Sequence, residues 1–262
     1  MASVGSSIVQ YQVINAQRDR LMTQFEKLPQ IKNDLEHLKK AAPNLTTVDA
    51  LLKDRRSLQV VLSAFQLEDQ VDARALLKKV MTQDPENTAS LSNQLSDPRY
   101  KQLAKAIYPL SQGTKIFSST ASVKAIIGAY ETNEFEKYQG EQTPGMREAM
   151  YFKRNIAGIT SPLQIVGSKQ FMEVARVALG LPKEIAYQTA KKQAEIIGKR
   201  VDITKFSDPA FVDRFVNRYL ANNDQQQYGS GGDPSVTGLF GGSGNASGLY
   251  ALIGKNSRGI LA

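Results

Sequence analysis

The sequence predicts an all-α protein made of two tandem copies of a multi-helix unit of about 100 residues, followed by a flexible glycine- and serine-rich tail. Three observations predict this class. Apolar residues recur at every third or fourth position, no run alternates like a half-buried strand for more than about five residues, and two distant segments match without a gap. We place the first unit at residues 7–110, the second at residues 121–220 and the tail at residues 221–262.

The repeat is clearest when Thr47–Leu67 is aligned with Ser161–Leu181. The same offset aligns Leu35–Thr46 with Ala149–Thr160, whereas later segments align after a three-residue change in loop length. Few polar residues are identical between the aligned segments, whereas the apolar positions coincide, as expected when one helical unit occurs twice in a chain. The apolar residues of the first segment that meet an apolar partner are Leu51, Leu52, Leu58, Val60, Ala64, Phe65 and Leu67.

The helices of the first unit follow from the same apolar spacing. Leu51–Leu67 places its apolar residues on one helical face, and Val71–Met81 repeats the pattern with its lysines outward. Ile8–Phe25 precedes both as a further helix. Thr82–Leu95 is dense in Asp, Pro, Asn and Ser, so it predicts a loop with a short helix near Ala89–Leu95.

We expect the second unit to repeat this order. Ala121–Tyr138 predicts one longer helix that precedes the second unit as Ile8–Phe25 precedes the first. The counterpart of Val71–Met81 begins at Pro182, because proline suits the first turn of a helix. Gly198 is the expected end of that helix, since glycine is common just past a helix terminus.

Leu95–Tyr108 and Phe206–Tyr219 share Ser-Asp-Pro, then an aromatic residue and a closing tyrosine. Aspartate before proline is typical of a helix start, because its side chain accepts a free backbone N–H and proline has none to leave unpaired. We therefore predict that Asp97 and Asp208 cap terminal helices and perform no catalysis. The residues expected on the matching buried faces are Tyr100, Ala104, Tyr108, Phe211, Phe215 and Tyr219.

From Ala221 onward the composition changes to glycine, serine, asparagine and glutamine. Ten of the 19 glycines follow residue 220, so this segment predicts a flexible tether that cannot bury enough surface to fold. Apolar residues return near its end, which suggests docking on the helical body or on a partner, with plain disorder as the remaining alternative. These candidate partner-binding residues are Leu249, Tyr250, Leu252, Ile253, Ile260 and Leu261.

The sequence contains few residues or motifs that could act in catalysis or bind a metal or a phosphate. Cysteine is absent and His37 is the sole histidine, so the usual transition-metal ligand set and a structural zinc site are excluded. Neither a Gly-x4-Gly-Lys-Ser/Thr phosphate loop nor a Gly-x-Ser-x-Gly nucleophile elbow is present. We expect no catalytic residue, no cofactor and no metal, and we interpret His37 as a helix-surface residue.

The net charge is +8, from 33 Lys and Arg against 25 Asp and Glu. Such an excess favours an acidic partner, including nucleic acid or anionic lipid, although lysines on solvated helix faces are the commoner explanation. Tryptophan is absent and no stacking aromatic accompanies the basic doublets, which argues against nucleic acid. The basic residues of the candidate contact surface are Lys53, Arg55, Arg56, Lys191, Lys192, Lys199 and Arg200.

Several segments occur in the order found in a known family. Leu51–Asp69, Leu76–Pro85 and Leu95–Ala106 resemble a largely uncharacterised, mainly alphaproteobacterial family of unknown function, and Ala149–Val166 resembles the entry to its repeat. The resemblance covers roughly residues 20–220. Where the family carries Gly-Leu-Glu, this chain has Gln-Leu-Glu from Gln66, a departure that concerns only a helix cap.

The genes of that family often lie among flagellar genes. The resemblance therefore implies a non-enzymatic protein near the flagellum that binds a rod, hook or export component. The alternative is a basic helical module that binds nucleic acid or anionic lipid. No segment approaches the ~18–20 apolar residues of a membrane helix, and no signal peptide is recognisable. We expect a protein that is cytoplasmic or leaves through the flagellar apparatus; its partner and oligomeric state stay open.

Overall fold

The structure is a computed structural model that describes residues 6–228, and the regular elements in this range are all helices. The all-α prediction is therefore confirmed for these residues, and none of their helices is both long and apolar enough to cross a membrane. The α-helices are α1 (Ser7–Ala16), α2 (Arg18–Phe25), α3 (Pro29–Ala41), α4 (Val48–Lys53), α5 (Arg55–Ala64), α6 (Arg74–Thr82), α7 (Leu91–Gln94), α8 (Pro98–Ser111), α9 (Thr120–Gln142), α10 (Met146–Asn155), α11 (Pro162–Gly167), α12 (Lys169–Ala178), α13 (Ala190–Arg200) and α14 (Pro209–Tyr228). Short 3-10 helices lie at Ala42–Asn44, Glu68–Gln70, Ile116–Ser118, Ile156–Gly158, Lys183–Tyr187 and Ile203–Ser207.

The prediction of one helix over Leu51–Leu67 is wrong, because Asp54 divides it into α4 and α5. The Asp54 carboxylate accepts the backbone N–H of Ser57 at 3.2 Å, so it caps the start of α5 where α4 ends. Ser168 separates α11 from α12 in the same way, through the N–H of Phe171 at 3.3 Å. In each half a polar cap therefore turns one apolar-periodic run into two consecutive helices.

The two halves present similar elements at a constant spacing. Helices α11 and α12 begin and end 114 positions after α4 and α5. The 3-10 helix Ile156–Gly158 follows Ala42–Asn44 by the same interval. Thr47 and Ser161 are also 114 positions apart, and their side-chain oxygens cap α4 and α11. The order of elements in the structure thus agrees with the alignment of the two sequence segments.

One residue in the left-handed conformation ends α5, and another ends α12. Gln66 has a φ of +57°, and Gly180, 114 positions later, has a φ of +63°. In both turns the N–H of the following leucine, Leu67 or Leu181, donates to the carbonyl five positions back at 2.8 Å. Gln66 therefore adopts the backbone conformation for which the resembled family uses glycine, and its side-chain amide donates to Glu136 at 3.3 Å.

Helix α9 connects the two halves, because it packs along α5 of the first half and along α10 of the second. On its buried side Phe135 meets Phe25 edge to face, with 5.6 Å between the ring centroids. In the second half Phe152 packs against both Phe206 and Phe215, at 5.5 Å and 5.4 Å. The described residues up to position 224 form one compact unit.

Helix α1 comes first in the chain but contacts elements of the second half. The backbone N–H of Ser7 donates to Asp224 of α14 at 3.0 Å, and its hydroxyl donates to the same carboxylate at 2.5 Å. The ammonium of Lys153 in α10 lies 5.7 Å from the centre of the Tyr11 ring, which is 2% exposed. The leading segment of the predicted first unit is thus held partly by the second unit.

Helix α14 continues through Tyr228, beyond Ala221, where the sequence predicts a tether. Two residues of the predicted tether form hydrogen bonds to other parts of the helical structure. Asn222 donates to the carbonyl of Val177 at 2.8 Å, and Asn223 donates to the carbonyl of Pro144 at 3.0 Å. These bonds explain why the helix persists there. The rest of the predicted tail, from residue 229, lies outside the described residues.

The helix predicted from Pro182 to Gly198 is instead a 3-10 helix followed by α13. Thr189 caps α13, because its side-chain oxygen accepts the N–H of Lys192 at 3.3 Å. Gly198 lies inside α13, which ends at Arg200, so the expected stop at this glycine is wrong. The short helix expected near Ala89–Leu95 is confirmed as α7.

The two Ser-Asp-Pro segments start helices as predicted. The Asp97 carboxylate accepts the N–H of Arg99 at 3.0 Å at the start of α8, and Asp208 accepts the N–H of Ala210 at 2.9 Å at the start of α14. Asp97 has an additional partner, because the Arg99 guanidinium donates to it at 2.6 Å. The same guanidinium also donates to the carbonyl of Gln66, which ties α8 to the turn after α5.

We expect Gly180→Ala to lower the free energy of unfolding by about 1 kcal/mol, because alanine at a positive φ is strained. A Cβ at Gly180 would meet no atom within 4 Å, so a steric clash contributes nothing to this cost. Gly158→Ala is the matched control, since its Cβ also enters open space and its φ is not positive. Urea denaturation of both variants tests this, and equal stabilities would contradict it.

We expect Asp97→Ala to be more destabilising than Asp208→Ala. Both lose a helix cap, which costs about 1 kcal/mol. Only the first also leaves a largely buried guanidinium without its carboxylate, since the side chain of Arg99 is 13% exposed; we expect a total of about 2 kcal/mol. Thermal unfolding followed by circular dichroism gives the comparison, and an Asp97→Ala melting curve identical to that of the parent protein would refute the cap.

Candidate functional site

A groove with a volume of about 260 Å³ lies between the end of α13, the 3-10 helix Ile203–Ser207 and α14. We call it the basic groove. Its floor is apolar and consists of Leu179, Val201, Phe211 and Phe215. Its rim carries the cations Arg200, Lys205, Arg214 and Arg218, with Asp202 as the single carboxylate. The groove therefore combines an apolar floor with an excess of positive charge.

The cations of the basic groove are largely uncompensated. Within residues 6–228, Arg200 and Arg218 have no ion-pair partner, and both side chains are exposed. Arg214 lies 4.0 Å from Asp208, at the outer limit of an ion pair, and its guanidinium lies 5.9 Å from the centre of the Phe211 ring. Hydrogen bonds from the hydroxyl and N–H of Thr204 hold the pKa of Asp202 below its ordinary value.

The first half has apolar, buried residues where the second half has the arginines of the basic groove. Helix α6 packs along α8 and also contacts α4, and α13 packs against α11. When the two Ser-Asp-Pro segments are aligned, Leu103 and Ile107 of α8 fall on Arg214 and Arg218 of α14. The two apolar residues are fully buried, and the two arginines are exposed. The side of α8 at Leu103 and Ile107 is thus buried, whereas the matching side of α14 borders the open, charged groove.

Of the predicted basic candidates, only Arg200 lines this groove. Lys192 and Lys199 both pair with Glu195, at 3.0 Å and 2.7 Å, and their hydrogen bonds lower the pKa of Glu195 to about 2. Lys191 is exposed and has no ion-pair partner among the described residues. All three side chains lie on α13, and Lys192 and Lys199 share one carboxylate of the same helix.

The basic candidates of the first half are also mostly paired. Arg55 binds Asp72 at 2.5 Å and Arg56 binds Asp34 at 2.9 Å. Lys53 is exposed, with no ion-pair partner in residues 6–228. The predicted basic surface is therefore divided between α4–α5 and α13, and four of its seven cations already have a carboxylate partner. The apolar tail candidates, Leu249 to Leu261, lie outside the described residues.

Sequence analysis missed Lys205, Arg214 and Arg218. A usable signal is present in Phe206–Tyr219, where Phe211 and Phe215 are four residues apart and Arg214 and Arg218 are four residues apart on the same side of a helix. The aromatic residues alone predict a buried face. The arginines beside them form the outer edge of the same face.

His37 belongs to a cluster that resembles a hydrolase triad in composition but not in geometry. Its Nε2 lies 3.0 Å from Asp54, and the Ser57 hydroxyl donates to the same carboxylate at 2.8 Å. The carboxylate stands between histidine and serine, so the imidazole is not placed to take the serine proton. Burial raises the pKa of Asp54, but these hydrogen bonds outweigh it and the pKa lies below its ordinary value. The cluster fixes the start of α5.

A buried polar network joins the two halves at α9. The Glu136 carboxylate is fully buried and accepts two hydrogen bonds from Arg154 of α10, at 2.8 Å and 2.9 Å, besides the one from Gln66. Nearby, Asn133 donates to the hydroxyl of Ser63, which donates to Glu134 at 2.7 Å. Every one of these bonds connects α9 to α5, to the turn after α5 or to α10, so the network holds these elements together.

A second cleft, of about 120 Å³, lies between α3, α5 and α9 and is lined mainly by polar side chains. Tyr130 donates to Asp34 at 2.9 Å, and Arg56 donates to the same carboxylate. Burial, reinforced by the bond to Asp34, raises the pKa of Tyr130 well above its ordinary value. The groups in this cleft satisfy one another, and no cluster of three or more His, Asp or Glu suited to a metal occurs among the described residues.

Residues 64–212 match the family DUF1217, described as a protein of unknown function. The match covers more than half of the chain, so the chain belongs to this family. The matched range begins at the end of α5 and ends within α14, so it spans the junction of the two halves. No curated protein matches the chain.

The fold is similar to that of a protein from Agrobacterium tumefaciens whose X-ray crystal structure was determined by a structural genomics consortium. The TM-score is 0.75 at 25% sequence identity, and the alignment covers 86% of this chain and 97% of the other. The all-helical architecture is thus shared with a protein of an alphaproteobacterium.

We expect Arg154→Met to lower the free energy of unfolding by about 3 kcal/mol, because it leaves the Glu136 carboxylate buried without its counter-charge. Lys153→Met is the neighbouring control: its ion pair with Asp213 is partly exposed, so we expect a loss below about 1 kcal/mol. Adding Glu136→Met to Arg154→Met should recover part of the loss. Urea titration measures these three variants and Glu136→Met alone, and a double variant as unstable as the sum of the losses in Glu136→Met and Arg154→Met would contradict the pairing.

Proposed function

We propose that this chain is a non-enzymatic helical interaction protein associated with the bacterial flagellum, and that it binds a rod, hook or export component. The observation that carries the interaction role is the basic groove, where exposed arginines surround an apolar floor. An open surface of this kind is suited to a partner, because unpaired cations and apolar side chains on one surface gain contacts when another molecule covers them.

The flagellar part of the proposal rests on the resemblance of the helical repeats to a family whose genes lie among flagellar genes. Membership of DUF1217 and the similar fold of the Agrobacterium protein are compatible with it. In this proposal the protein acts in the cytoplasm or leaves through the flagellar apparatus without a cleaved signal peptide. The absence of catalytic function also belongs to the proposal, supported by the self-satisfied polar clusters around Asp54 and Asp34.

The proposal includes an origin by tandem duplication of one helical unit. The equal spacing of α4–α5 and α11–α12, with matching caps at Asp54 and Ser168 and matching left-handed residues at Gln66 and Gly180, supports it. After duplication the first copy would keep the corresponding side of its last helix, α8, buried. The second would open the basic groove, so that one copy serves stability and the other binding.

A second candidate function is favoured by the same charges: a basic module that binds nucleic acid or anionic lipid. The net charge of +8 and the unpaired arginines of the groove support it. The groove is concave and its aromatic rings are packed against one another, which suits neither a flat membrane nor a stacked base. We therefore rank the protein partner first.

We expect deletion of the gene in a flagellated bacterium that encodes this protein to impair swimming in soft agar, and the intact gene to restore it. A gene carrying Arg200→Glu with Arg218→Glu should fail to restore swimming, because the groove loses its charge. Lys53→Glu with Lys191→Glu is the control, with the same change in net charge elsewhere. A fully motile deletion strain would refute the flagellar role.

A further inference from the structure

We propose that the basic groove binds an acidic segment of a partner protein, in which one bulky apolar side chain enters the groove and flanking carboxylates contact its arginines. This inference rests on the proposed function, because it names the chemistry of the partner. It is carried by the shape, the charge and the rigidity of the groove.

The size of the groove is suited to one side chain. A volume of about 260 Å³ lies below the ~300–1,000 Å³ that small-molecule ligands occupy. It is open to the surface, so a chain can lie across it while one residue points inward. Leu179, Val201 and Phe215 are each less than 10% exposed, and they line the groove where that apolar side chain would pack.

The charge on the rim is suited to carboxylates on both sides of that residue. Arg200 projects from the end of α13, whereas Arg214 and Arg218 project from α14 one helical turn apart, so the cations stand on opposite walls. Arginine recognises carboxylates through paired N–H donors. Because Arg200 and Arg218 have no ion-pair partner in the described part of the chain, binding requires no existing pair to break.

The floor is already in place before a partner arrives. Phe206 packs edge to face on Phe211 at 5.5 Å and on Phe215 at 5.1 Å, so the rings cannot turn freely. A rigid site loses little conformational entropy on binding. The same packing argues against nucleic acid, because Arg214 covers the ring of Phe211 and Phe215 is 6% exposed, so a base finds no open ring.

The test uses the full chain and a short synthetic peptide in which one phenylalanine is flanked by glutamates on both sides. We expect a Kd below ~1 mM by NMR titration, with the shifted backbone signals clustered at the residues that line the groove. Affinity should fall as salt is raised, because exposed charges are screened. Replacing the phenylalanine by serine, or the glutamates by glutamines, should each weaken binding about tenfold.

Arg200→Glu with Arg218→Glu should abolish the peptide shifts. Both side chains are exposed and unpaired within the described residues, so circular dichroism should show an intact fold. Lys53→Glu with Lys191→Glu carries the same net charge and should change the Kd less than about twofold. Equal losses in both variants, shifts elsewhere on the protein, or no binding at ~1 mM peptide would each overturn the proposal.

The same binding measurement is made with single-stranded DNA and with vesicles containing phosphatidylserine in place of the peptide. If either binds at the groove while the peptide does not, the partner is not an acidic protein segment and the proposal fails. Peptide binding in a protein whose gene deletion leaves swimming intact would support this site and refute the flagellar role. Loss of swimming without any peptide binding would refute the site alone.

Discussion

The fold depends on a carboxylate that has no access to water. Glu136 is fully buried in α9, and its charge is balanced by Arg154 from α10 and by the amide of Gln66 from the turn after α5. A buried charge without such partners costs several kcal/mol. The three elements that supply the groups must therefore stay together, and they come from both halves of the chain. This interaction is therefore one of the contacts that hold the two similar halves together.

The two halves share their helix caps and helix ends but differ in which side chains of the last helix are exposed. Both break their apolar run with a polar cap, at Asp54 and Ser168, and both end the following helix with a left-handed residue. They differ at the last helix of each half, where Leu103 and Ile107 of α8 are buried and Arg214 and Arg218 of α14 are exposed. Arg214 and Arg218 stand there because an exposed helix side requires polar residues, whereas the covered side of α8 requires apolar ones. The groove thus lies where the second half exposes a helix side that the first half buries.

Features that depend on neighbouring residues could be predicted from the sequence, whereas contacts between residues far apart in the chain could not. The caps at Asp97 and Asp208 were recognisable because the cap and the proline are adjacent. The cap at Asp54 was missed, because one polar residue does not disturb the apolar period on either side of it. The helix over Asn222 and Asn223 was missed because these residues have tether composition, and their bonds go to carbonyls far away in the chain. The groove was missed for the same reason, since Arg200 and Arg218 stand on helices whose packing the sequence does not reveal.

The contact between Ser7 and Asp224 brings the two ends of the helical body together. Circular permutation is tolerated where native ends are close and the new break falls in an exposed turn. The exposed turn at Gly113 lies between the halves and offers such a break. A chain opened there and joined from Asp224 to Ser7 would be translated with the second half first. In such a chain the contact between Ser7 and Asp224 would become part of a covalent connection, and α9 would still lie between its partners α5 and α10.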